Sequence, residues 1–340
     1  MRSYCSLYVD AGYLIAAAST RVTGTSLRSA TEVDVPGLLA ELTKQVEADS
    51  GLPLLRIHWY DSGTRQGAPS ASQRDIATLP KVKLRLGRVG FNGEQKGVDL
   101  KLALDLITQS RNKAAEVVYL VSGDDDLSEA VEEAQHHGVQ VISLVVPDEQ
   151  GQAISVSQNL QMTVDQLQLI RTPVIDDHVK KSSAAAMKEV TEASVVAGET
   201  AAQDGQPRTP AVATSRRQAP TPTSIARAIP GPPIVRPLTA APLPAYSTST
   251  GNSGTYGTHT ALDAHAAEVI GDVVDKVVIN WWRGASEASR NELLKGKPLI
   301  PSDMDRALLN DLSNKLAIYD IPQDWRFALR EAFWAKISRL

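Results

Sequence analysis

At 340 residues the chain is long enough for roughly two domains, and its 42% hydrophobic content allows at least part of it a packed core. A net charge of −4 excludes a globally basic nucleic-acid or membrane binder, and a single cysteine, Cys5, excludes an intramolecular disulfide. Aromatic residues make up only 5%, so some of the length is expected not to pack.

Arg2 precedes an apolar run, but Asp10 interrupts its middle, which the core of an exported leader does not tolerate. No run reaches the roughly 18 apolar residues of a membrane span. With the lone cysteine, these features predict a cytoplasmic protein.

Tyr4 to Val9 predicts a short buried strand that stops at Asp10, where Ala11-Gly12-Tyr13 opens a helix. Residues 20–33 are polar and irregular. Asp34-Val35-Pro36 marks a helix start, and Leu38, Leu39, Leu42 and Val46 carry it to Gly51. Leu54 to Tyr60 predicts a second strand. Lys81 to Val89 alternates, with Val82, Leu84 and Leu86 on one face and Lys81, Lys83 and Arg85 on the other. That basic face can track an RNA backbone, or serve as a charged edge that blocks aggregation. Phe91 to Gly97 reads as a loop, and Val98 to Ile107 as a helix with Val98, Leu102 and Leu106 on one side.

Val117 to Val121 is a β-branched apolar run, as expected for a strand buried on both faces. It ends in Ser122-Gly123, three aspartates follow, and Leu127, Ala130, Val131 and Ala134 then give a helical stripe. Gly138 ends that helix, Val139 to Val146 is a further strand, and a short unit over 154–170 closes the region. Strands alternating with amphipathic helices predict an α/β fold, a parallel sheet between helix layers. The two central strands are expected to be 4–9 and 117–121.

From about Pro173 the composition shifts to Pro, Ala, Ser and Thr, which predicts a disordered linker over 173–259. Residues 260–340 regain helical periodicity. Ile270, Val273, Val274, Val277, Val278 and Trp281 form one stripe, Leu308, Leu309, Leu312 and Leu316 a second, and Trp325, Leu329, Phe333 and Ile337 a third. A small all-α domain is expected.

The chemistry lies in carboxylates at strand ends. Asp10 follows the first strand, Asp99 opens the 98–107 helix, and Asp124 and Asp126 follow the central strand. Ligands of open α/β sheets bind at that carboxyl edge. Close carboxylates repel one another unless a cation sits among them, and oxygen ligands without His or Cys suit Mg²⁺ or Mn²⁺. One aspartate would suffice to cap the helix; three exceed that need. A metal held there activates water for phosphodiester cleavage. Ser122 can hydrogen-bond a carboxylate, Asp125 adds a third acidic group to the turn, and Lys96, beside a helix N-terminus, can meet a phosphate.

The motifs Tyr8-Val9-Asp10, Lys96-Gly97-Val98-Asp99 through Asp105, and Val121-Ser122-Gly123-Asp124-Asp125-Asp126-Leu127 resemble the NYN domain, a branch of the PIN-like ribonucleases. The resemblance covers residues 3 to about 172. It implies a Rossmann-like α/β/α sandwich and a metal-dependent RNA nuclease with single-stranded RNA as substrate. It places the catalytic and metal-binding role on Asp10, Asp99, Asp124 and Asp126. Asp105 also matches a recurrent acidic position, but six residues at roughly 100° each turn it about 120° away from Asp99. One departure stands out: Tyr13 occupies the position where the family usually has Asn, and brings a bulkier hydroxyl.

Two other phosphotransfer folds fit less well. A Toprim-like site wants Glu after the first strand, where this chain has Asp10. A receiver-like site with Asp61 as acceptor needs a Lys after a late strand, where this chain has Pro147. A non-catalytic NYN scaffold that binds RNA or protein is the alternative of a different class. The helical region is expected to stand apart from the active site and to serve targeting or assembly. A homo-oligomer contact or protein partner would then use Val277, Trp281, Trp325 and Phe333 or a surface beside them.

Overall fold

A computed structural model describes residues 3–64, 68–89, 95–182, 264–318 and 320–340. Strand β1, Cys5–Asp10, runs into helix α1, Ala11–Thr23, with no loop between them. A 3-10 turn, Arg28–Ala30, and the short strand β2, Thr31–Val33, lead to α2, Val35–Ser50. Asp34 caps α2 by accepting from the Gly37 amide at 3.2 Å, and Pro36 sits in its first turn, as the sequence predicts. Then come β3, Leu54–Ser62; α3, Ala71–Thr78; β4, Val82–Val89; β5, Gln95–Lys96; and α4, Val98–Arg111. A capping box of Ser70 and Gln73 opens α3. The remainder of this half is β6, Val117–Val121; α5, Ser128–His136; β7, Gln140–Val145; α6, Gln158–Thr163; β8, Gln166–Leu169; α7, Thr172–Asp176; and β9, Val179–Lys181.

The main sheet has the order β5-β4-β3-β1-β6-β7-β8. All its pairings are parallel except the short β4–β5 contact. β1 and β6 lie side by side at the centre with Val9 opposite Val121, so Asp10 and Ser122 leave the same edge at the same level. Alternation along β1 divides the core. Cys5, Leu7 and Val9 face α1 and α2, joining Leu14, Ala18, Leu38 and Leu42. Tyr8 faces the opposite layer with Leu102 and Leu106 of α4 and Val131 of α5. The expected α/β/α sandwich is the one observed.

The folded segment runs further than composition suggests. Residues 172–181 form α7 and β9, and β9 pairs antiparallel with β2, Val33 opposite Val179. Val174, Ile175 and Val179 are buried in the α1/α2 core. Three apolar residues, Val174, Ile175 and Val179, were enough to anchor a stretch that reads as the start of a linker. The rest of the expected linker, residues 183–259, lies outside the described residues.

The C-terminal region is all-helical: α8, Ala264–Gly284; α9, Glu287–Lys295; α10, Ser302–Leu316; and α11, Gln323–Ile337. Its core holds Ile270, Val273, Val277, Leu308, Leu312, Leu329 and Phe333. Val277 and Phe333 are fully buried and Trp325 nearly so, while Trp281 is partly buried against the same core. Leu27 and Ala30, from the turn after α1, belong to this same core. The helical region is therefore docked on the α/β half through that turn. Among the described residues, no helix is long and apolar enough to cross a membrane.

Candidate functional site

The carboxyl edge of β1 and β6 opens into a cleft of about 450 Å³ whose lining includes Asp10, Asp99 and Asp124. Three short-range devices aim these side chains. Asp10 ends β1 and caps α1, its Oδ1 accepting from the Gly12 amide at 2.8 Å. Gly97 takes a left-handed conformation, φ 77°, that turns the chain into α4 and sets Asp99 in its first turn. Beyond β6, the buried Ser122 hydroxyl accepts from the Asp124 amide at 3.3 Å, and Asp124 in turn accepts from the Asp126 amide at 3.3 Å. Ser122 thus shapes the turn that presents Asp124.

Gly123 is held by its surroundings. A Cβ there would lie 1.9 Å from the Ser155 carbonyl oxygen and 2.8 Å from the Tyr13 ring. The close approach brings the Ser155 loop and the Tyr13 ring against the turn that carries Asp124. The Tyr13 hydroxyl donates to the Ile154 carbonyl at 2.9 Å. Tyr13 therefore ties α1 to the segment after β7, and its hydroxyl is already engaged.

The electrostatics are those of crowded carboxylates. Burial, and next the neighbouring Asp99, push Asp10 up to about 6 from its ordinary 3.8. Asp99 is raised by burial and by Asp126, and Asp124 by burial and by Asp99, Asp126 and Asp125. Asp126 does not line the cleft; it is exposed at the rim and acts on the others through space. Asp125 faces an adjoining cleft of about 730 Å³ that shares Asp124, and it accepts from the Ser157 hydroxyl at 3.1 Å. Among the described residues, no three His, Cys, Asp or Glu side chains close into a preformed metal cage.

The remaining predicted residues lie elsewhere. Asp105 is turned toward the sheet, as the helical angle from Asp99 anticipates. It accepts both Arg85 Nε and Nη2 at 2.7 Å and the Tyr60 hydroxyl at 3.0 Å. That bidentate pair engages Arg85 inside the fold, so the basic face of β4 is not a free track of three cations. Lys83 is exposed, and Lys81 is exposed with Nζ 3.5 Å from Glu47. The Lys96 side chain lies outside the described residues.

Three residues that sequence reasoning missed stand at the cleft: Arg28 from the turn after α1, and Arg306 and Asn310 from α10. Arg306, Asn310 and Asn314 recur every four residues, which puts them on one face of α10. Asn314 donates to the Ser155 hydroxyl at 2.7 Å. The helical region is thus part of the cleft wall, and the expectation that it stands apart is overturned. The signal was Asp311, a charge set among Leu308 and Leu312 on the inward side of an amphipathic helix.

The chain is similar to the uncharacterized protein y4oD of Sinorhizobium fredii, 41% identical over 96 residues. That match covers 28% of this chain and 44% of the relative, so the chain spans less than half of the relative's length. A protein of unknown function from Vibrio parahaemolyticus aligns in its crystal structure with a TM-score of 0.36 at 19% identity, covering 52% of this chain and 96% of that one. The NYN domain, a PIN-like nuclease family, matches residues 5–175, the span that contains β1, α4, β6 and the three cleft carboxylates. By that match the chain belongs to the NYN domain family.

Proposed function

We propose that this protein is a divalent-metal-dependent ribonuclease whose reaction takes place in the cleft of Asp10, Asp99 and Asp124. The observation that carries the reading is the convergence of these three sequence-distant carboxylates on one cleft, each raised by burial and by acidic neighbours. An arrangement that keeps like charges together costs stability unless a cation compensates it.

The donor set fits Mg²⁺ or Mn²⁺. It is all oxygen, and a site without a closed cage suits Mg²⁺ in particular, which binds through one or two carboxylates while waters and phosphates complete its shell. Asp10, Asp99 and Asp124 would hold the ion, with Asp126 at the rim adding negative field. When bound, such an ion supplies Lewis-acid polarisation of the phosphate and a lowered pKa for a coordinated water.

The chain's own groups do the rest. Asp10, pushed up to about 6 by burial and by Asp99, would give up its proton to hold the ion. Ser122 and Gly123 fix the turn that orients Asp124. The adjoining cleft continues past Asp124 and Asp125, which gives a polymeric substrate room on both sides of the carboxylates.

Incubating the full chain with a mixture of single-stranded RNAs and Mn²⁺, with and without excess chelator, tests the reading. Cleavage that chelator abolishes is the expected result. Intact RNA at every metal concentration would favour the non-catalytic scaffold.

A further inference from the structure

Two guanidinium groups line the same cleft as the carboxylates, one from each half of the chain. Arg28 leans over Gly12: its Nη2 lies 2.8 Å, and Asp10 Oδ1 2.9 Å, from the point a Gly12 Cβ would occupy. Arg306 comes from α10 and lines the same cleft. Among the described residues, neither guanidinium has a hydrogen-bond partner or a carboxylate within ion-pair distance. Other arginines are treated differently: Arg21 pairs with Asp176, Arg85 with Asp105, and Arg330 with Asp305. The nearby Asp303 is occupied by the Ser29 hydroxyl at 2.9 Å.

We propose that Arg28 and Arg306 form a two-sided phosphate clamp on the substrate strand, so that the C-terminal helical region supplies half of the grip on RNA. The ligand class follows from the ribonuclease reading, on which this proposal rests. A guanidinium offers a planar fork of donors that matches phosphate oxygens, and desolvated Arg–phosphate bonds are among the stronger hydrogen bonds. Arg306 is half-buried, and burial followed by repulsion from Arg28 lowers its pKa; Asp303 and Asp10 only partly offset this. A phosphate between the two groups would relieve that repulsion. It would also leave the neighbouring phosphodiester facing Asp10, Asp99 and Asp124. Asn310, one turn along the same face of α10, adds a neutral hydrogen-bonding group to the cleft wall.

The docking of α10 fixes Arg306 at this position. Asp311 is buried and accepts from the Ser26 amide at 2.9 Å and from the Thr25 hydroxyl at 2.7 Å. Both partners belong to the segment that leads into Arg28. One junction therefore sets both arms of the clamp.

The test is equilibrium binding of a fluorescein-labelled oligouridylate to the full chain in chelator, where no metal-dependent cleavage depletes the probe. It is run across a salt series for wild type, Arg28→Ala, Arg306→Ala and Arg306→Lys. Each alanine variant is expected to bind about tenfold more weakly, the scale of one charge-assisted hydrogen bond. Each should also flatten the salt dependence by about 0.7 in log–log slope, the value for one phosphate contact on a single strand. Arg306→Lys should keep the slope and recover part of the affinity, which a merely misfolded helix would not do. Wild-type affinity and slope in Arg306→Ala, or no binding by wild type, would overturn the clamp. Mn²⁺-dependent cleavage with an unchanged KM in Arg306→Ala would remove the clamp and leave the ribonuclease standing. Binding that depends on both arginines without cleavage in Mn²⁺ would do the reverse.

Discussion

Asp311 and Ser26 join the two ends of the chain: the Asp311 carboxylate, buried in α10, accepts the Ser26 backbone amide at 2.9 Å. The second carboxylate oxygen takes the Thr25 hydroxyl, and Leu27, the next residue along, is fully buried in the helical core. This junction places α10 beside the acidic cleft.

Asp311→Ala should therefore undock the helical region. Removing the carboxylate leaves a buried amide and hydroxyl without partners, a cost of about 1–3 kcal/mol. Amide hydrogen exchange should show faster exchange at Ser26 and along α10 while β1 and β6 stay protected. Asp311→Asn keeps an acceptor for the Ser26 amide and should behave closer to wild type. Unchanged protection in the alanine variant would remove Asp311 from this role.

Gly123→Ala should damage the site at its backbone. Its Cβ would fall 1.9 Å from the Ser155 carbonyl oxygen, and a backbone atom cannot swing away as a side-chain tip can. A loss of about 1–3 kcal/mol is expected from such overpacking, with Asp124 displaced. Tyr13→Phe loses only the 2.9 Å bond to the Ile154 carbonyl and should cost about 1 kcal/mol. It should leave cleavage largely intact, because that hydroxyl is directed at the loop after β7. Thermal melts and single-turnover cleavage of the two variants check both statements.

The pH dependence has a definite sign. Asp10 is pushed up to about 6 in the fold from an ordinary 3.8, and Asp99 and Asp124 move the same way. A folded-state value above the unfolded one favours the protonated group, so this contribution to stability is full below the unfolded value. It is lost as pH rises through about 6. In chelator, the part of the melting temperature that follows these groups should fall across that window. Mn²⁺ binds the ionised form, so its stabilising shift should grow over the same range. A Mn²⁺ shift that is equal on both sides of the window would count against the carboxylates as ligands.

Arg85→Ala should weaken the fold more than it weakens RNA binding. It removes both arms of the Asp105 pair and leaves Asp105, 18% exposed at its side chain, with only the Tyr60 hydroxyl. The exposed Lys83 makes the matched comparison, and Lys83→Ala should leave the melt unchanged. Equal melts for the two variants would show that the Arg85–Asp105 pair contributes nothing to stability.

Much of the α/β half is legible in sequence because its signals are local. Val117–Val121 is β-branched and ends abruptly at Ser122-Gly123, which locates both the central strand and the acidic turn. The 3.6-residue repeat likewise places Asp105 away from Asp99. Two parts were not legible, for different reasons. Val174–Val179 offers too few apolar residues to stand out from the Pro- and Ser-rich composition that follows, yet they meet a preformed core. Arg28 and Arg306 sit on polar faces that read as solvated, because their place beside the cleft depends on a docking between residues nearly 300 positions apart in sequence, Ser26 and Asp311.

The most direct measurement is metal-dependent cleavage of one labelled single-stranded RNA by the full chain, wild type beside Asp124→Asn, at matched fold. Even outer-shell partners of a metal site are worth about 10–100-fold, so losing a direct carboxylate should slow cleavage by more than about 100-fold. The variant's melt in chelator should be equal to wild type or higher, since one of the repelling charges is gone. Cleavage by Asp124→Asn at the wild-type rate would contradict a reaction centred on Asp10, Asp99 and Asp124.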